Sequence, residues 1–257
     1  MNSPADHPAL AVTAQLTRAG RAIEDESFAI IDAEAGPHPY DPGQWAVVRR
    51  MIHASADFDL NGLTAFHPRA VAAGLAALRR GGRLLVADVG MILAGLSPAR
   101  LARFGLRPYQ FIADPDVIAQ AQAQGTTRAV QAMRKAQAMG LLDGAIIGIG
   151  NAPTALLEVL RLIAEEGVRP ALIIGMPVGF VSAAESKAML AEVTEVPWVL
   201  VQGRKGGSTL VVAAIHALLA LAAEGSGPDA PLSCIRVAES RRDGPSTEPA
   251  ATLGRAT

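Results

Sequence analysis

Short apolar runs and longer amphipathic stretches follow one another through most of this chain. Each run is nearly unbroken, and a glycine-containing turn and a helical pattern come after it, as expected for strands that are buried on both faces of a parallel sheet. We predict strands at 83–87 and 145–149 and in two later segments. The segments that carry the pattern are 81–92, 144–167, 169–193 and 197–223.

Repeated strand–loop–helix units predict the α/β class, here a single-domain three-layer sandwich with a mostly parallel, Rossmann-like sheet. We place this domain at residues 21–223. Residues 1–20 are expected to form a partly ordered N-terminal arm. Residues 224–257 are rich in Pro, Ser, Gly and Ala and contain few large apolar side chains, so we expect a disordered tail that function does not need.

A further helix is predicted around residues 42–55, because Asp41 is a suitable N-cap and Pro42 fits the first turn. Helical spacing gathers its large apolar side chains on one side and leaves Arg50 and His53 together on the other. His53 is therefore not a core residue. It belongs either to a solvated polar face or to an anion-binding pocket in which it transfers protons, and helix geometry alone does not distinguish the two.

Composition excludes several classes of protein. Half of the 257 residues are apolar, 18% are charged and the formal net charge is −1, which does not fit a nucleic-acid-binding protein. A single cysteine excludes an intrachain disulfide framework and favours the cytoplasm. The N-terminus does not resemble a signal peptide, and the apolar stretch 206–223 is too short to span a membrane, so we expect a buried alanine-rich helix there.

Three loops are expected at the carboxyl ends of parallel strands, where α/β proteins bind ligands. They are GIGNAP (148–153), GMPVGF (175–180) and GRKGGS (203–208). Each leads into a helix N-terminus, which favours anions, and the last carries Arg204 and Lys205. Taken singly, each loop is better explained as a tight turn that needs glycine. Together they favour an anionic ligand.

Other chemistry is weakly represented. GIGNAP is only half of a dinucleotide fingerprint, and in GRKGGS the lysine precedes the glycine pair, which is not the order in a phosphate-binding P-loop. The five histidines are not spaced as metal ligands, and there is no Gly-x-Ser-x-Gly elbow. His67 is expected at the start of a helix and His216 within a core or interface. Asp88, at a strand end, has either a capping or a ligand role, and Arg128 is early in a helix.

Five stretches, in this order, resemble the precorrin-8X methylmutase family of cobalamin biosynthesis. The resemblance covers about residues 25–221, and its longest motif is GMPVGFVSAAESK at 175–187. The other four stretches are SFAII (27–31), RMIHA (50–54), GNAPTAL (150–156) and GRKGGS (203–208).

The resemblance implies an isomerase that moves a methyl group from C11 to C12 of precorrin-8X, a [1,5]-sigmatropic shift that yields hydrogenobyrinate. It implies that His53 is the proton donor or acceptor and that Arg50 and Ser27 contact the substrate. No external cofactor or metal is expected, because the shift is redox-neutral and intramolecular. The family also implies a homodimer with a site near the subunit boundary.

The substrate is a large polycarboxylate, which suggests further contacts. We expect carboxylate binding by several residues on the predicted loops and helix starts, and a bond from Asp88 to a pyrrole N–H. The candidate carboxylate contacts are Arg128, Asn151, Thr154, Lys205 and Ser208. Three alternatives stay open: cobalt-precorrin-8 as the substrate, a non-catalytic tetrapyrrole carrier that would not need His53, and a nucleotide-binding oxidoreductase.

Overall fold

The computed structural model describes residues 17–224, in which helices alternate with short strands. The helices are α1 Arg18–Glu34, α2 Pro42–Ser55, α3 Leu60–Leu63, α4 Ala70–Arg80, α5 Gly90–Gly95, α6 Pro98–Arg103, α7 Pro115–Gln124, α8 Arg128–Ala138, α9 Pro153–Glu166, α10 Ala183–Ala191 and α11 Ser208–Glu224. The strands are β1 Thr64–Phe66, β2 Leu84–Ala87, β3 Arg107–Tyr109, β4 Ile146–Ile149, β5 Leu172–Gly175 and β6 Trp198–Val201.

The six strands form one sheet in the order β1-β6-β5-β4-β2-β3. β1 runs antiparallel to β6 at one edge, and each of the other neighbouring pairs is parallel. β4, β5 and β6 are buried along their whole length, which explains their unbroken apolar sequences. The chain reverses its direction of travel across the sheet between β2 and β4, so the carboxyl ends of these two strands flank a crevice where ligands commonly bind in such folds.

Helices cover both faces of the sheet and produce two separate apolar cores. Side chains from α2, α4, α5, α6 and α11 pack on one face. Those from α7, α8, α9 and α10 pack on the other. The three-layer α/β architecture predicted from the sequence is therefore confirmed, with α1 lying against the outer side of α2 through Ile31 and its neighbours.

Helix α2 begins as its sequence predicts. The Asp41 carboxylate accepts a hydrogen bond from the Gln44 N–H at 2.9 Å, the Gln44 side chain accepts one from the Asp41 N–H at 3.2 Å, and Pro42 occupies the first turn. The helix ends at Ala56, whose left-handed backbone (φ 53°) turns the chain sharply. His53 thus lies in the last turn, just before a change of direction.

Helix α11 is the buried alanine-rich helix expected from residues 206–223. It packs against α2 and the sheet, and most of its side chains are fully enclosed. No helix in the described part of the chain is long and apolar enough to cross a membrane.

Two edge strands were missed by the sequence analysis. β1 and β3 have only three residues each, too few to show a period, and β3 contains Pro108, which is tolerated at a sheet edge. Helix α1 begins at Arg18, so the last residues of the predicted arm at 1–20 belong to it. Residues 1–16 and 225–257, which hold most of the predicted arm and tail, lie outside the described residues.

Candidate active site

His53 is exposed and is held by a second helix. Its Nδ1 lies 2.8 Å from the hydroxyl oxygen of Ser27 on α1, and the Phe28 ring meets the imidazole edge-on at 5.3 Å between centroids. Because the Ser27 hydroxyl engages Nδ1, the second ring nitrogen, Nε2, is the one placed to exchange a proton with a ligand. The prediction that His53 lies on the polar face of α2 is confirmed.

A buried ion pair lies one helical turn from this contact. Arg50 donates to the carboxylate of Glu24, and both side chains are largely enclosed. Glu24 precedes Ser27 by three residues, and Arg50 precedes His53 by three, so two contacts on successive turns join α1 to α2. The charge of Arg50, which the resemblance assigns to the substrate, is therefore already opposed by Glu24.

A second histidine lies behind Arg50 but has a different environment. Burial, together with the nearby guanidinium groups of Arg100 and Arg50, lowers the pKa of His216 to about 4. Its Nε2 accepts a hydrogen bond of 3.4 Å from the Ser97 N–H. His216 is thus a neutral, partly buried histidine with a backbone partner, in keeping with the core or interface position expected for it.

A cavity of about 320 Å³ opens beside His53 and Ser27, between α1 and the end of α2. Its wall is mainly apolar, although Glu26 and Glu34 also contribute. The apolar lining residues are Ile23, Ile30, Ile31, Ile52, Ala56 and Phe58. Ile23 and Ile30 are 67% and 49% exposed, so the cavity continues into an open apolar face of α1.

Asp88 closes the crevice between β2 and β4. Its carboxylate is 1% exposed and accepts backbone N–H bonds from Gly150 (3.1 Å), Asn151 (2.9 Å) and Ala152 (2.7 Å). Burial raises the pKa of Asp88, and these N–H bonds oppose that effect. The amides expected to receive a ligand anion are therefore engaged by Asp88, which supports the loop instead of facing a pyrrole.

The GRKGGS loop is fixed by contacts with its neighbours. A Cβ at Gly206 would lie 2.3 Å from the Met176 carbonyl oxygen, and one at Gly150 would lie 2.7 Å from Cα of Ser208. Glycine is thus required here by close approach of the chain to itself. Ser208, the first residue of α11, is 8% exposed and lies against the 150–152 loop.

Lys205 reaches from this loop to the segment that follows His53. Its Nζ lies 2.7 Å from an Asp57 carboxylate oxygen and 2.6 Å from one of Asp59. The two carboxylates raise the pKa of Lys205. Lys205, predicted as a substrate contact, therefore ties the β6–α11 loop to the end of the His53 helix.

The remaining predicted contacts gather at the start of α8 and α9. The Thr154 hydroxyl lies 2.9 Å from that of Thr127, the N-cap of α8, and Arg128 is the exposed first residue of that helix. Asn151 is also exposed. These residues form a second group, joined to the His53 side of the molecule through the contact of Gly150 with Ser208.

Sequence reasoning missed three residues of this arrangement. Asp57 and Asp59 follow His53 in SADFD, and alternating acids next to a lone histidine were a signal for a cation partner. Glu24 and Ser27 on α1 are three residues apart, which is the spacing of Arg50 and His53 on α2. Within residues 17–224, no three His, Cys, Asp or Glu side chains come together as a metal site.

Comparison with known proteins gives one family. A family model described as precorrin-8X methylmutase matches residues 22–221. A cobalt-precorrin-8 methylmutase of Leptospira interrogans is 52% identical over 215 residues, which are 82% of this chain and 97% of that protein. A precorrin-8X methylmutase of Pseudomonas aeruginosa is 43% identical over 204 residues, 78% of this chain and 95% of its own.

A solved structure agrees with the sequence matches. A precorrin-8X methylmutase from Thermus thermophilus superimposes with a TM-score of 0.75 and 55% sequence identity, over 80% of this chain and 98% of that one. The matched regions include both helices that meet at His53, the sheet and the loops at its carboxyl edge. The chain belongs to the precorrin-8X methylmutase family.

Proposed function

We propose that this protein is an isomerase of cobalamin biosynthesis that moves a methyl group from C11 to C12 of precorrin-8X to give hydrogenobyrinate. The observation that carries the proposal is the Ser27–His53 contact of 2.8 Å at the mouth of the apolar cavity. An imidazole oriented through one nitrogen and open at the other is suited to proton transfer. The family match supplies the substrate class.

His53 transfers a proton through Nε2 in this account. Substrate and product are isomers, so a proton delivered to the macrocycle must leave it again within the same turnover. Ser27 orients the ring through its contact with Nδ1. The C11–methyl bond breaks as the C12–methyl bond forms, so the remaining task of the protein is to hold the macrocycle in one conformation.

Two kinds of surface recognise the substrate: the apolar cavity wall binds the apolar parts of the macrocycle, and the exposed cations bind its carboxylates. The flat apolar parts of the macrocycle face Ile23, Ile30 and Phe58, which line the cavity. Arg128 provides an exposed guanidinium for peripheral carboxylates, and Thr154 and Asn151 add polar contacts beside it. The charge of Arg50 is already opposed by Glu24, and that of Lys205 by Asp57 and Asp59. These two cations therefore attract the substrate carboxylates only at short range.

The substrate exists in two forms, and the relatives bear both names. We propose metal-free precorrin-8X as the first substrate to test and cobalt-precorrin-8 as the second. We further propose a homodimer, since Ile23 and Ile30 leave an apolar face open next to His53, and a cytoplasmic location, which the single cysteine favours. Sedimentation should give about twice the chain mass of 26.6 kDa, and a value equal to the chain mass would exclude the dimer.

The variant His53→Ala separates catalysis from binding. We expect turnover of precorrin-8X to fall by at least about 100-fold, the range for loss of a general acid or base, with the affinity for hydrogenobyrinate kept within about threefold. His38→Ala is the matched control, because His38 is equally exposed but stacks on Trp45. Unchanged turnover in His53→Ala would refute the role of His53, and a wild-type protein that binds without turnover would be a carrier.

A further inference from the structure

Lys187 is a buried lysine that the proposed chemistry does not use. It lies on α10 with 1% of its surface exposed, and its Nζ donates a hydrogen bond of 2.6 Å to the carbonyl oxygen of Lys205. Within residues 17–224, Lys187 belongs to no ion pair with a carboxylate. A buried ammonium held by one neutral carbonyl costs free energy, because a single hydrogen bond only partly replaces its hydration.

The chain uses lysine sparingly. Of its 23 Lys and Arg residues only three are lysines, Lys135, Lys187 and Lys205, and two of these three touch each other. Arginine stays charged under all ordinary conditions, whereas a buried lysine can lose its proton. A compact cation that can be neutralised is therefore found at a buried position that supports the β6–α11 loop.

Lys205 is held at two points by this arrangement. Its carbonyl receives the Lys187 amine, and its own Nζ reaches Asp57 and Asp59, which follow His53 by four and six residues. The rest of the loop is anchored by the Gly207 N–H on the Met176 carbonyl at 2.8 Å. Contacts therefore run without a break from Lys187 through Lys205 to the end of α2.

We propose that Lys187 is a positioning residue, which fixes the Lys205 backbone so that the Lys205 ammonium can hold Asp57 and Asp59 and thereby the His53 end of α2. The consequence for catalysis rests on the role of His53 proposed above. The structural step itself, from Lys187 to Lys205, does not depend on that role.

The proton on Lys187 should matter to this support. Burial lowers the pKa of Lys187 to about 8. The charged groups on the elements around Lys187 do not contribute to this lowering of its pKa, and β6 carries no charged residue. These charged groups are Glu185 on α10, Glu192 at its C-cap, Arg204 and Lys205 on the loop, and Glu158, Arg161, Glu165 and Glu166 on α9, which form ion pairs within α9 and with Arg134.

Above pH 8 the neutral amine forms a weaker hydrogen bond than the ammonium, because the charge no longer assists it. Turnover by the wild-type protein should therefore fall as the pH rises through about 8. Lys187→Met removes the titrating group, and the cavity of about 310 Å³ that adjoins Lys187 leaves room for the methionine side chain. This variant should lose the alkaline decline together with the support.

The first test is NMR of the protein labelled with ¹³C-lysine. Its spectrum contains only three lysine signals, because the chain has three lysines. In the wild type the Lys205 signal should titrate at a higher pH than that of an ordinary lysine, because Asp57 and Asp59 raise its pKa. Lys187→Met should return the Lys205 titration to the ordinary value, and Lys135→Met, which removes a lysine bonded to Asp114 and Asp116, should leave it unchanged. An unchanged Lys205 titration in Lys187→Met would overturn the proposal whether or not the protein is active.

The second test is kinetic. Lys187→Met should lower kcat about tenfold, as a small misplacement of a catalytic group does, with a smaller loss of affinity for hydrogenobyrinate. The double variant Lys187→Met/Lys205→Met should be no slower than Lys205→Met alone, since both act through one support. The link from Lys187 to catalysis would be overturned if Lys187→Met kept kcat within twofold of wild type. It would also be overturned if the losses of the two single variants multiplied in the double variant. Wild-type protein without turnover would instead refute the proposed function.

Discussion

At the scale of single residues, the proposed chemistry depends on how His53 is held. Ser27 and His53 are 26 positions apart in the chain, yet their side chains meet at 2.8 Å because α1 and α2 pack side by side. Periodicity could predict that His53 is on a polar face, since that follows from one helix. It could not pair His53 with Ser27, or Arg50 with Glu24, because those contacts depend on how two helices pack.

Loss of the Ser27 hydroxyl should impair catalysis more than binding. Ser27→Ala leaves the His53 ring free to rotate, so we expect kcat to fall on the order of tenfold, about 1.4 kcal/mol in the barrier, with the product affinity unchanged. Ser55→Ala is the comparison for a hydroxyl that does not touch His53, because the Ser55 hydroxyl donates to the Met51 carbonyl and accepts the Asp57 N–H. Weaker binding with unchanged kcat would instead assign Ser27 to the substrate.

The lowered pKa of His216 predicts how the free energy of unfolding depends on pH. The pKa of His216 is about 4 in the folded protein against 6.5 in the unfolded chain, so the unfolded state binds more protons between these values. The free energy of unfolding should therefore decrease as the pH falls from 6.5 to 4, by up to about 3 kcal/mol from this residue. Urea titrations of His216→Gln should show a shallower dependence, and identical slopes in both proteins would contradict the assignment.

At the scale of elements, the loops at the carboxyl edge of the sheet are supported largely by the chain itself. Sequence reasoning located these loops correctly and associated their glycines with close approach of a ligand. In the structure Gly206 accommodates the Met176 carbonyl, and the 150–152 amides bind Asp88. The same residue pattern serves either purpose, and the two are distinguished by groups distant in sequence, Asp88 after β2 and the Met176 carbonyl after β5.

Removing the Asp88 charge should loosen the 150–152 loop. Asn at this position presents an amide N–H₂ to backbone donors, so Asp88→Asn should lower the free energy of unfolding by about 2 kcal/mol through unsatisfied N–H groups. Hydrogen exchange at residues 150–152 should become faster. Asp116→Asn, at an exposed ion pair with Lys135, should cost less than about 1 kcal/mol. Equal losses in both variants would contradict the role of Asp88.

At the scale of the whole molecule, the sequence predicted the class and layering of the fold but not its strand order. Unbroken apolar runs identified β2, β4, β5 and β6, and the order in which they pair depends on which helix covers which face. β1 and β3 are too short to predict from pattern. The His53 and Lys205 regions, which are far apart in sequence, meet because α2 and α11 pack on the same face of the sheet.

The segments outside residues 17–224 should be dispensable. A chain trimmed to these residues contains both cores and every proposed site residue, so we expect the midpoint of thermal unfolding and the kcat of the full chain to be retained. Comparing the two proteins by calorimetry and by turnover tests this. A trimmed chain that folds normally but loses turnover would assign a function to one of the removed segments.

The most direct test of the central claim is an anaerobic absorbance time course of the purified protein with metal-free precorrin-8X. The account predicts that the spectrum of the stable corrin product grows through many turnovers at a protein concentration far below that of the substrate. A spectral change that stops at one equivalent of protein would contradict catalysis and indicate binding alone. No change with either the metal-free or the cobalt-containing substrate would contradict the proposed function.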